Sequence, residues 1–525
     1  MNLGKRLILA GVAAGVGGLA FWLISNNAEQ QINFQTAVVQ SQDELGSEIL
    51  RIGLVSLPPA LGNPYRGTGV PTIYTYRSMF EGLTYLTSDG RVLPRLAIAW
   101  EMIDSLTWRF ELRRDVVFHN GVPFTADAVV FAVSYLTSDE GRVESVARDL
   151  GGIVGAEAVD KHAVIIRTKF PIPLLPALTE SLLIVEPGQW ATLGREEFTQ
   201  NPIGTGPFKL IEWGQARARL AAHTESWRPP KVNFLELLAI PDVSSRVQAI
   251  MSDQADIVIG LSMDHVLDIE AAGGRKSINK SASVLGVSFV LTKLPPNHPL
   301  QDKRVRQALN YAVNKESYIQ AFFGGETQPS SQPTTPSTFG YNPELKPYPY
   351  DPDRARNLLR KAGYKNGFSF TAEVTIGGGA SLAPTYQRTA ADLLNIGVIM
   401  TLKTIPVQQL IRNIQEGGWR GEAFGMNYSA ERSGDALRSL RLHSCINRSP
   451  WYCNKRVSDL IQKALNETDI EKRRTLTKDV MATYHEEAPA IWLHEVMLFT
   501  GLGPKVKYYQ EDHTLIAYDK IELMP

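Results

Sequence analysis

The sequence predicts an α/β protein, and two observations carry that prediction. In the second half of the chain, residues 368–376, residues 398–405 and a segment near Phe424 read as strands, and helix patterns separate them. In the first half, residues 106–113 alternate apolar and polar side chains, as a half-buried strand does. Strands that alternate with helices favour helices packed on a sheet over a helical bundle or an all-β sandwich.

Length and composition indicate a large globular protein. The 525 residues correspond to three or four units of about 150 residues, or to two larger ones. Hydrophobic residues make up 44% and charged residues 21%, which is too apolar for a disordered chain. The 54 basic and 54 acidic residues cancel, so the chain lacks the basic field that nucleic-acid binding requires.

Residues 1–28 are predicted to be a signal peptide or a membrane anchor. The pair Lys5 and Arg6 precedes an uncharged apolar run over residues 7–24, and these 18 residues fall between the lengths typical of a signal and of a spanning helix. Both alternatives therefore stay open. Positive charge before the run places the rest of the chain outside the cytoplasm in either case. Residues 29–48 are polar and read as a linker.

The folded part is predicted to begin with a strand at Ile49, which ends before Pro58 and Pro59. After the turn at Asn120 and Gly121, Thr125 is placed to cap a helix. The apolar positions of that helix recur at helical spacing, at Val129, Val130, Val133 and Leu136.

Helices in the second half carry start and stop signals. Asp302 precedes one helix, and Asp351 with Pro352 begins another that Gly363 ends. Two further helices are predicted over residues 384–395 and 407–416. Seven prolines between residues 329 and 352 predict an extended surface loop there.

Motifs of common enzyme chemistry are missing from the sequence. It contains no phosphate-binding loop, no nucleophile elbow and no paired zinc-ligand motif, and no catalytic residue, metal site or cofactor is predicted. His443, Cys445 and Cys453 could bind a metal, but a disulfide between the two cysteines fits an exported, oxidising setting better.

Several motifs follow one another in a recognisable order, at residues 93–101, 107–113, 117–129, 201–208, 302–308, 350–352 and 487–490. Together they span nearly everything after the membrane segment. Their order resembles that in the extracytoplasmic solute-binding proteins of family 5, which are the dipeptide, oligopeptide and nickel receptors of ATP-binding cassette importers.

The resemblance implies a two-lobed periplasmic-binding-protein clamp of type II, with an extra subdomain inserted in the first lobe. Lobe I would comprise residues 49–285, including the insert at about 61–190, and residues 500–525 would return to it. Lobe II would comprise residues 286–499. Such a clamp binds its ligand by hinge closure and catalyses no reaction.

The implied function is capture of di- to oligopeptides and their delivery to an inner-membrane permease with its ATPase subunits. The receptor would be a monomer outside the cytoplasm, and it would touch the membrane only through its N-terminal segment. Two alternatives stay open. One is a receptor of the same fold for a metal chelate, an opine or a sugar conjugate, and the other is an extracytoplasmic hydrolase or chaperone-like protein.

The resemblance also implies ligand-binding residues. Asp435, preceded by Gly434, matches the position of an acidic residue that pairs with a peptide's terminal ammonium, although Asp435 could instead cap the helix that follows. The other predicted ligand contacts are Asn427, Tyr428, Ser429, Thr68, Gly69, Tyr65 and Trp213, the aromatic ones having a core role as their alternative. Similarity to dipeptide receptors around Cys445 and Cys453 further implies the disulfide.

Two departures from the dipeptide receptors bear on the ligand. Those receptors carry an arginine for the ligand carboxylate just before a lobe II helix, whereas residues 377–382 here contain no basic side chain. Arg388 would lie further along that helix, in solvent. The usual Asp-Pro pair is Asp435 and Ala436 here. Longer peptides or a different solute become better ligands on this ground.

Overall fold

The structure is a computed structural model that describes residues 49–58, 62–67, 69–70, 72–375, 381–513 and 515–524. The predicted signal or anchor and the linker lie outside the described residues, as does Thr68. Within the described ranges, no helix combines the length and the apolar character that crossing a membrane requires.

Fifteen α-helices lie in the described residues, and most of them are directly preceded by a polar or charged residue. They are α1 Thr72–Met79, α2 Ala126–Thr137, α3 Ser145–Asp149, α4 Leu175–Leu178, α5 Pro187–Phe198, α6 Val243–Met251, α7 Met263–Ala271, α8 Lys303–Ala312, α9 Lys315–Phe323, α10 Pro352–Lys361, α11 Leu382–Leu394, α12 Val407–Glu416, α13 Leu437–Leu442, α14 Lys455–Asn466 and α15 Ile470–Glu487.

The strands of the described residues group mainly into one large and one smaller sheet. They are β1 Ile49–Leu54, β2 Thr84–Leu86, β3 Val92–Pro94, β4 Ala97–Asp104, β5 Thr107–Leu112, β6 Ile153–Asp160, β7 Ala163–Thr168, β8 Phe208–Trp213, β9 Arg217–Ala222, β10 Phe234–Ala239, β11 Ile257–Leu261, β12 Arg275–Phe289, β13 Phe368–Val374, β14 Val398–Thr404, β15 Ala423–Ser429, β16 Ala490–Leu502, β17 Val506–Tyr508, β18 Glu511–Asp512, β19 Leu515–Ile516 and β20 Glu522–Leu523.

A ten-stranded mixed sheet is the largest sheet of the described residues. Its strand order is β14-β13-β15-β12-β16-β11-β1-β10-β9-β8. A separate four-stranded antiparallel sheet, β4-β5-β7-β6, lies between residues 97 and 168, inside the range predicted for the inserted subdomain. The α/β class predicted from the alternation of strands and helices is confirmed.

The helix boundaries read from the sequence agree closely with the structure. Asp302 begins α8 by accepting a hydrogen bond from the Arg304 backbone N at 2.8 Å, and Asp351 begins α10 by accepting one from the Arg354 N at 2.8 Å. Helix α2 also begins where Thr125 predicted, but the Thr125 side chain makes no capping hydrogen bond.

The proline-rich segment over residues 329–352 contains no helix or strand before Pro352, as predicted, but only part of it lies at the surface: residues 330–335 are buried, whereas Pro343, Pro349 and Tyr350 are exposed. Gln332 is fully buried, and its side chain exchanges hydrogen bonds with the Asn342 backbone, accepting from N at 3.0 Å and donating to O at 2.8 Å. The Gln332 side chain thus satisfies the backbone N and O of Asn342, which helps this part of the segment to be buried without a regular element.

Two hydrophobic cores divide the described residues. The first contains apolar side chains of residues 50–237 and 502–521 together with Ile257 and Ile259, and the part of the chain around it is called the first lobe below. The second contains apolar side chains of residues 284–499, which define the second lobe. Helices α6 and α7, predicted for lobe I, bury their apolar residues in the second core. The exact lobe boundaries stay a prediction.

Strands β12 and β16 connect the two lobes. They pair antiparallel over nearly their whole length, and the register shifts between Lys280 and Val284 and again between Leu285 and Gly286. Such bulges bend a strand pair and raise its local twist. The first shift follows Lys280, whose carbonyl oxygen is 3.1 Å from His513 Nδ1 of the first lobe, and precedes Val284, which is buried in the second core.

Candidate functional site

The candidate site is the cleft between the lobes. On the second-lobe side it is bordered by residues 429–438, called the cleft segment below, which connect β15 to α13. On the first-lobe side lie α1, the β2–β3 hairpin and β18. Leu86 of the hairpin lies close to Gly434, since a Cβ atom at Gly434 would be 3.6 Å from the Leu86 Cδ1. The lobes therefore touch at this segment.

A small cavity lies next to the strands that connect the lobes. It has a volume of about 100 Å³ and is lined by residues of β11, β12, β15, β16, α9 and α11, with Asn427 and His494 among them. Pockets for small molecules usually measure about 300–1,000 Å³. This cavity is therefore smaller than a usual ligand pocket.

Glu431 of the cleft segment is a candidate ligand-binding carboxylate that the sequence analysis missed. Its side chain is partly exposed, and Oε1 accepts a hydrogen bond from the Ser281 hydroxyl at 2.5 Å. Within the described residues no lysine, arginine or histidine nitrogen lies within 4 Å of it. Its charge is thus available to a cation that enters the cleft.

A hydrogen-bonded group of the first lobe lies near Glu431. The Tyr74 hydroxyl donates to Glu511 Oε1 at 2.7 Å, and the Tyr509 hydroxyl donates to Glu511 Oε2 at 2.8 Å. Burial raises the pKa of Tyr74 well above its ordinary value, and the charges of Glu511 and Glu431 act in the same direction. Tyr74 is therefore near carboxylates of both lobes.

Burial also raises the pKa of the Glu511 carboxyl, although the hydrogen bonds from Tyr74 and Tyr509 lower it in part. The Thr500 hydroxyl donates to the same carboxylate at 3.3 Å. Thr500 belongs to β16, one of the two strands that connect the lobes. The group thus ties the connecting strand to α1 of the first lobe.

Asp435 lies between Arg432 and Arg438 in the cleft segment, and its two partners lie inside the second lobe; this side of the segment is called the inner side below. Oδ2 accepts from Arg473 Nη2 at 2.6 Å, and Oδ1 accepts from the Leu437 backbone N at 3.0 Å. The capping role that the sequence left open is therefore present. Because Arg473 already neutralises the carboxylate, the geometry favours Glu431 over Asp435 as a partner for a ligand ammonium, and contact between Asp435 and the ligand stays a prediction.

The neighbouring predicted residues have mixed placements. Asn427 is exposed and lines the cavity. Ser429 is partly exposed, and its hydroxyl accepts from the Glu431 backbone N at 3.3 Å. Gly434 has φ +59°, in the left-handed region that favours glycine, and its carbonyl accepts from the Phe339 backbone N at 2.8 Å. Gly69 is exposed just before α1.

The three predicted cleft aromatics lie elsewhere. Tyr65 is fully buried in the first core, with its ring centroid 5.5 Å from that of Tyr135. Tyr428 is fully buried in the second core, where its hydroxyl is 2.6 Å from the Ser288 hydroxyl. Trp213 is half-buried on β8, at the outer edge of the large sheet and about 29 Å along the sheet from β12. These placements favour a core role over a ligand role.

The two cysteines form the predicted disulfide. Cys445 is bonded to Cys453, with the two Cα atoms 4.6 Å apart, so these thiols cannot be metal ligands. The neighbouring His443 is buried among aromatic rings, and burial lowers its pKa to about 3. In the part of the chain that the structure describes, no three histidine, cysteine or acidic side chains are grouped to hold a metal ion.

Arg388 lies on α11, as predicted, with its side chain 38% exposed. It donates to the Asp392 carboxylate at 2.9 Å, one turn further along the helix. The segment before α11, where dipeptide receptors place their arginine, is outside the described residues except for Ser381. Arg388 is thus paired within its own helix.

Comparisons with known proteins agree with this architecture. Residues 91–434, well over half of the chain, match the model of bacterial extracellular solute-binding proteins, family 5 middle. The chain is similar to di/tripeptide-binding protein 2 of Pseudomonas aeruginosa, with 27% identity over 81% of this chain and 85% of that protein. It is also similar to heme-binding protein A of Haemophilus influenzae, with 28% identity over 79% of this chain and 81% of that protein.

A solved structure matches over nearly the whole fold. It is the periplasmic binding protein DppA of Helicobacter pylori in complex with the peptide STSA, with a TM-score of 0.73 and 23% identity. The match covers 90% of this chain and 98% of that chain. The predicted two-lobed fold of the periplasmic binding proteins is confirmed by this likeness.

Proposed function

The chain belongs to the family 5 bacterial extracellular solute-binding proteins, and from this premise we propose that it captures peptides in the cleft between its lobes for an ATP-binding cassette importer. The observation that carries the peptide assignment is Glu431, a partly exposed carboxylate in the cleft without a cationic partner among the described residues. A free peptide N-terminus supplies the missing positive charge. The names of relatives such as di/tripeptide-binding protein 2 support the same assignment.

The binding energy comes from charge and closure together. A charge-assisted hydrogen bond between a carboxylate and an ammonium contributes about 1.5 to 3 kcal/mol, which corresponds to about 10- to 150-fold in affinity. The ligand favours the closed protein because closing adds contacts from the first lobe. Strands β12 and β16 act as the hinge, with the register shifts between Lys280 and Gly286 as its bending point.

The protein works as a receptor and catalyses no reaction. It delivers its solute to an inner-membrane permease, whose ATPase subunits drive import, and it functions as a monomer outside the cytoplasm. Its N-terminal segment either directs export and is cleaved, or remains as a membrane anchor. A cluster of genes for two permeases and two ATPases beside its own gene would support this role.

A receptor for a non-peptide solute is the second candidate. Two observations favour it: residues 377–382 contain no basic side chain for a peptide carboxylate, and one relative is named heme-binding protein A. The receptor fold, the closure and the importer would be the same. Only the chemistry of the cleft would differ.

A thermal-shift screen of the purified protein, unfolded and refolded to remove carried ligand, tests the proposal. The panel contains di-, tri- and pentapeptides, the same peptides N-acetylated, free amino acids, nickel–histidine and haemin. A ligand at 100 times its Kd adds about 2.7 kcal/mol to the native state, which moves Tm by a few degrees. We expect shifts with peptides that have a free N-terminus and smaller ones with the acetylated forms.

The anchor is tested by substitution. Glu431→Gln keeps the size of the side chain and removes its charge, so we expect peptide affinity to fall about 10- to 150-fold. Glu212→Gln, on the exposed edge strand β8, is the matched control and should bind as the native protein does. Equal affinity of native protein and Glu431→Gln would refute the anchor. A shift with haemin or nickel–histidine and none with peptides would establish the second candidate.

A further inference from the structure

One aspartate of the first lobe reaches across the cleft to two arginines of the second lobe. Asp149 ends α3, in the subdomain that carries the four-stranded sheet. Its Oδ2 accepts from Arg432 Nη1 at 2.5 Å, and its Oδ1 accepts from Arg438 Nη2 at 2.9 Å. Both arginines belong to the cleft segment. Each oxygen of Asp149 thus holds one arginine, and each bond joins the two lobes.

The ion pairs are sheltered from solvent. The Asp149 side chain is 18% exposed, and those of Arg432 and Arg438 are 21% and 34% exposed. Burial raises the pKa of Asp149, but the charges and hydrogen bonds of the two arginines outweigh burial and leave that pKa below its ordinary value. Partly buried charge pairs are screened by salt less than exposed pairs, and they couple more strongly.

Closing the lobes without Asp149 would bring like charges together. Arg77 of α1 is buried and donates to Glu180. Burial is the main reason that the pKa of Arg77 is lowered, and the positive charge of Arg432 contributes in the same direction. Arg432 therefore lies close to another cation when the lobes meet. Asp149 supplies the negative charge that offsets this repulsion.

The backbone of the cleft segment is held in an uncommon conformation at the same place. Arg432 has φ +69°, in the left-handed region that a long side chain seldom adopts. The preceding residue is Glu431, the proposed ligand anchor. A bond from Arg432 to the first lobe therefore fixes the backbone from which Glu431 projects into the cleft.

From this geometry we propose that Asp149 is a positioning residue that latches the closed receptor through Arg432 and Arg438 and thereby holds Glu431 in its ligand-binding position. Asp149 itself contacts no ligand. The inference rests on the proposed function, because it assigns to Asp149 a share of the affinity for the solute. It also predicts a conformational effect that can be measured without any ligand.

The first test compares Asp149→Asn with the native full-length protein. The substitution keeps the side chain's size and removes the charge that both arginines require. We expect peptide affinity to fall about 5- to 30-fold, mainly through faster dissociation. Without ligand, small-angle X-ray scattering should show a larger radius of gyration, because the closed population falls. Asp115→Asn is the control, since Asp115 pairs with Arg113 inside the same lobe.

A second set of variants separates charge from backbone. Arg432→Asn removes the cation with a residue that tolerates a positive φ, so the segment's conformation is kept while the bond to Asp149 is lost. We expect the same loss of affinity as in Asp149→Asn. In a protein with both Arg432→Asn and Arg438→Gln, adding Asp149→Asn should cost no further affinity, because the interaction is already absent.

The outcomes distinguish the latch from the proposed function. Affinity within twofold of the native value and an unchanged radius of gyration in Asp149→Asn would overturn the latch, whatever the solute. An increase in the radius with no binding of any peptide by the native protein would support the latch and refute the peptide assignment. If Asp149→Asn lowered the affinity equally in the native protein and in the protein that carries Arg432→Asn and Arg438→Gln, the latch would be overturned, because Asp149 would then act through other residues.

Discussion

The two sides of the cleft segment use the same chemistry for different purposes. On the inner side, Asp435 pairs with Arg473, whose side chain is 4% exposed, and both belong to the second lobe. On the outer side, Arg432 and Arg438 pair with Asp149 of the other lobe, while Glu431 faces the cleft without a cation among the described residues. The difference teaches that a carboxylate's role here follows from which lobe holds its partner.

Breaking the inner pair should have the largest effect on stability. Asp435→Asn leaves the buried Arg473 guanidinium without its counter-ion, and removing one partner of a buried pair costs about 3–5 kcal/mol. We expect the free energy of unfolding in denaturant to fall by that amount. The control is Asp353→Asn, because Asp353 pairs with Arg356 in an exposed position where the expected change is below about 0.5 kcal/mol. Equal effects in the two variants would contradict the structural role of Asp435.

The disulfide that follows α13 is, after the Asp435–Arg473 pair, the second interaction that stabilises the inner side of the cleft segment. Replacing Cys445 and Cys453 together by serine removes a short ring that the loop-entropy model values at about 2.5 kcal/mol. We expect a lower denaturation midpoint in the double variant and a similar decrease when the native protein is reduced. A midpoint that does not change on reduction would show that the packing around His443 and Trp451 holds this segment without the bond.

A substitution on the outer side of the cleft segment, at Glu431, should have the smallest effect on stability. In Glu431→Gln the amide oxygen still accepts from the Ser281 hydroxyl, so the free energy of unfolding should change by less than about 0.5 kcal/mol while peptide affinity falls. Denaturant unfolding without ligand measures this directly. A decrease of several kcal/mol in the free energy of unfolding would mean that Glu431, like Asp435, stabilises the fold. The contrast between the two sides of the segment would then disappear.

Local signals in the sequence located the elements well. Helix α12 begins and ends at the predicted residues, and α10 follows Asp351 as predicted. These boundaries depend on groups close together in the chain, such as the Asp351 carboxylate and the Arg354 backbone N. The cysteine pair is similar, because a ring this short leaves the two thiols near each other.

The sequence did not reveal which tyrosines line the cleft and which are buried in a core. Tyr65 and Tyr428 matched expectations for cleft residues, yet both are fully buried in the two cores. Tyr74 was not singled out, although it donates to Glu511 of the first lobe and is close enough to Glu431 of the second lobe for that charge to raise its pKa. An aromatic side chain fits a core and a binding site equally well, and only its three-dimensional neighbours separate these roles.

The sequence by itself determined the α/β class, the boundaries of helices such as α10 and α12, the resemblance to a receptor family and the presence of an acidic residue in the cleft segment. Tertiary structure decided which of the two acids in that segment is available to a ligand. The partner of Asp435 is 38 residues away in the chain, and Asp149 is 283 residues from Arg432. Charges separated this far along the chain meet only in the folded protein, because electrostatic pairing depends on distance in space.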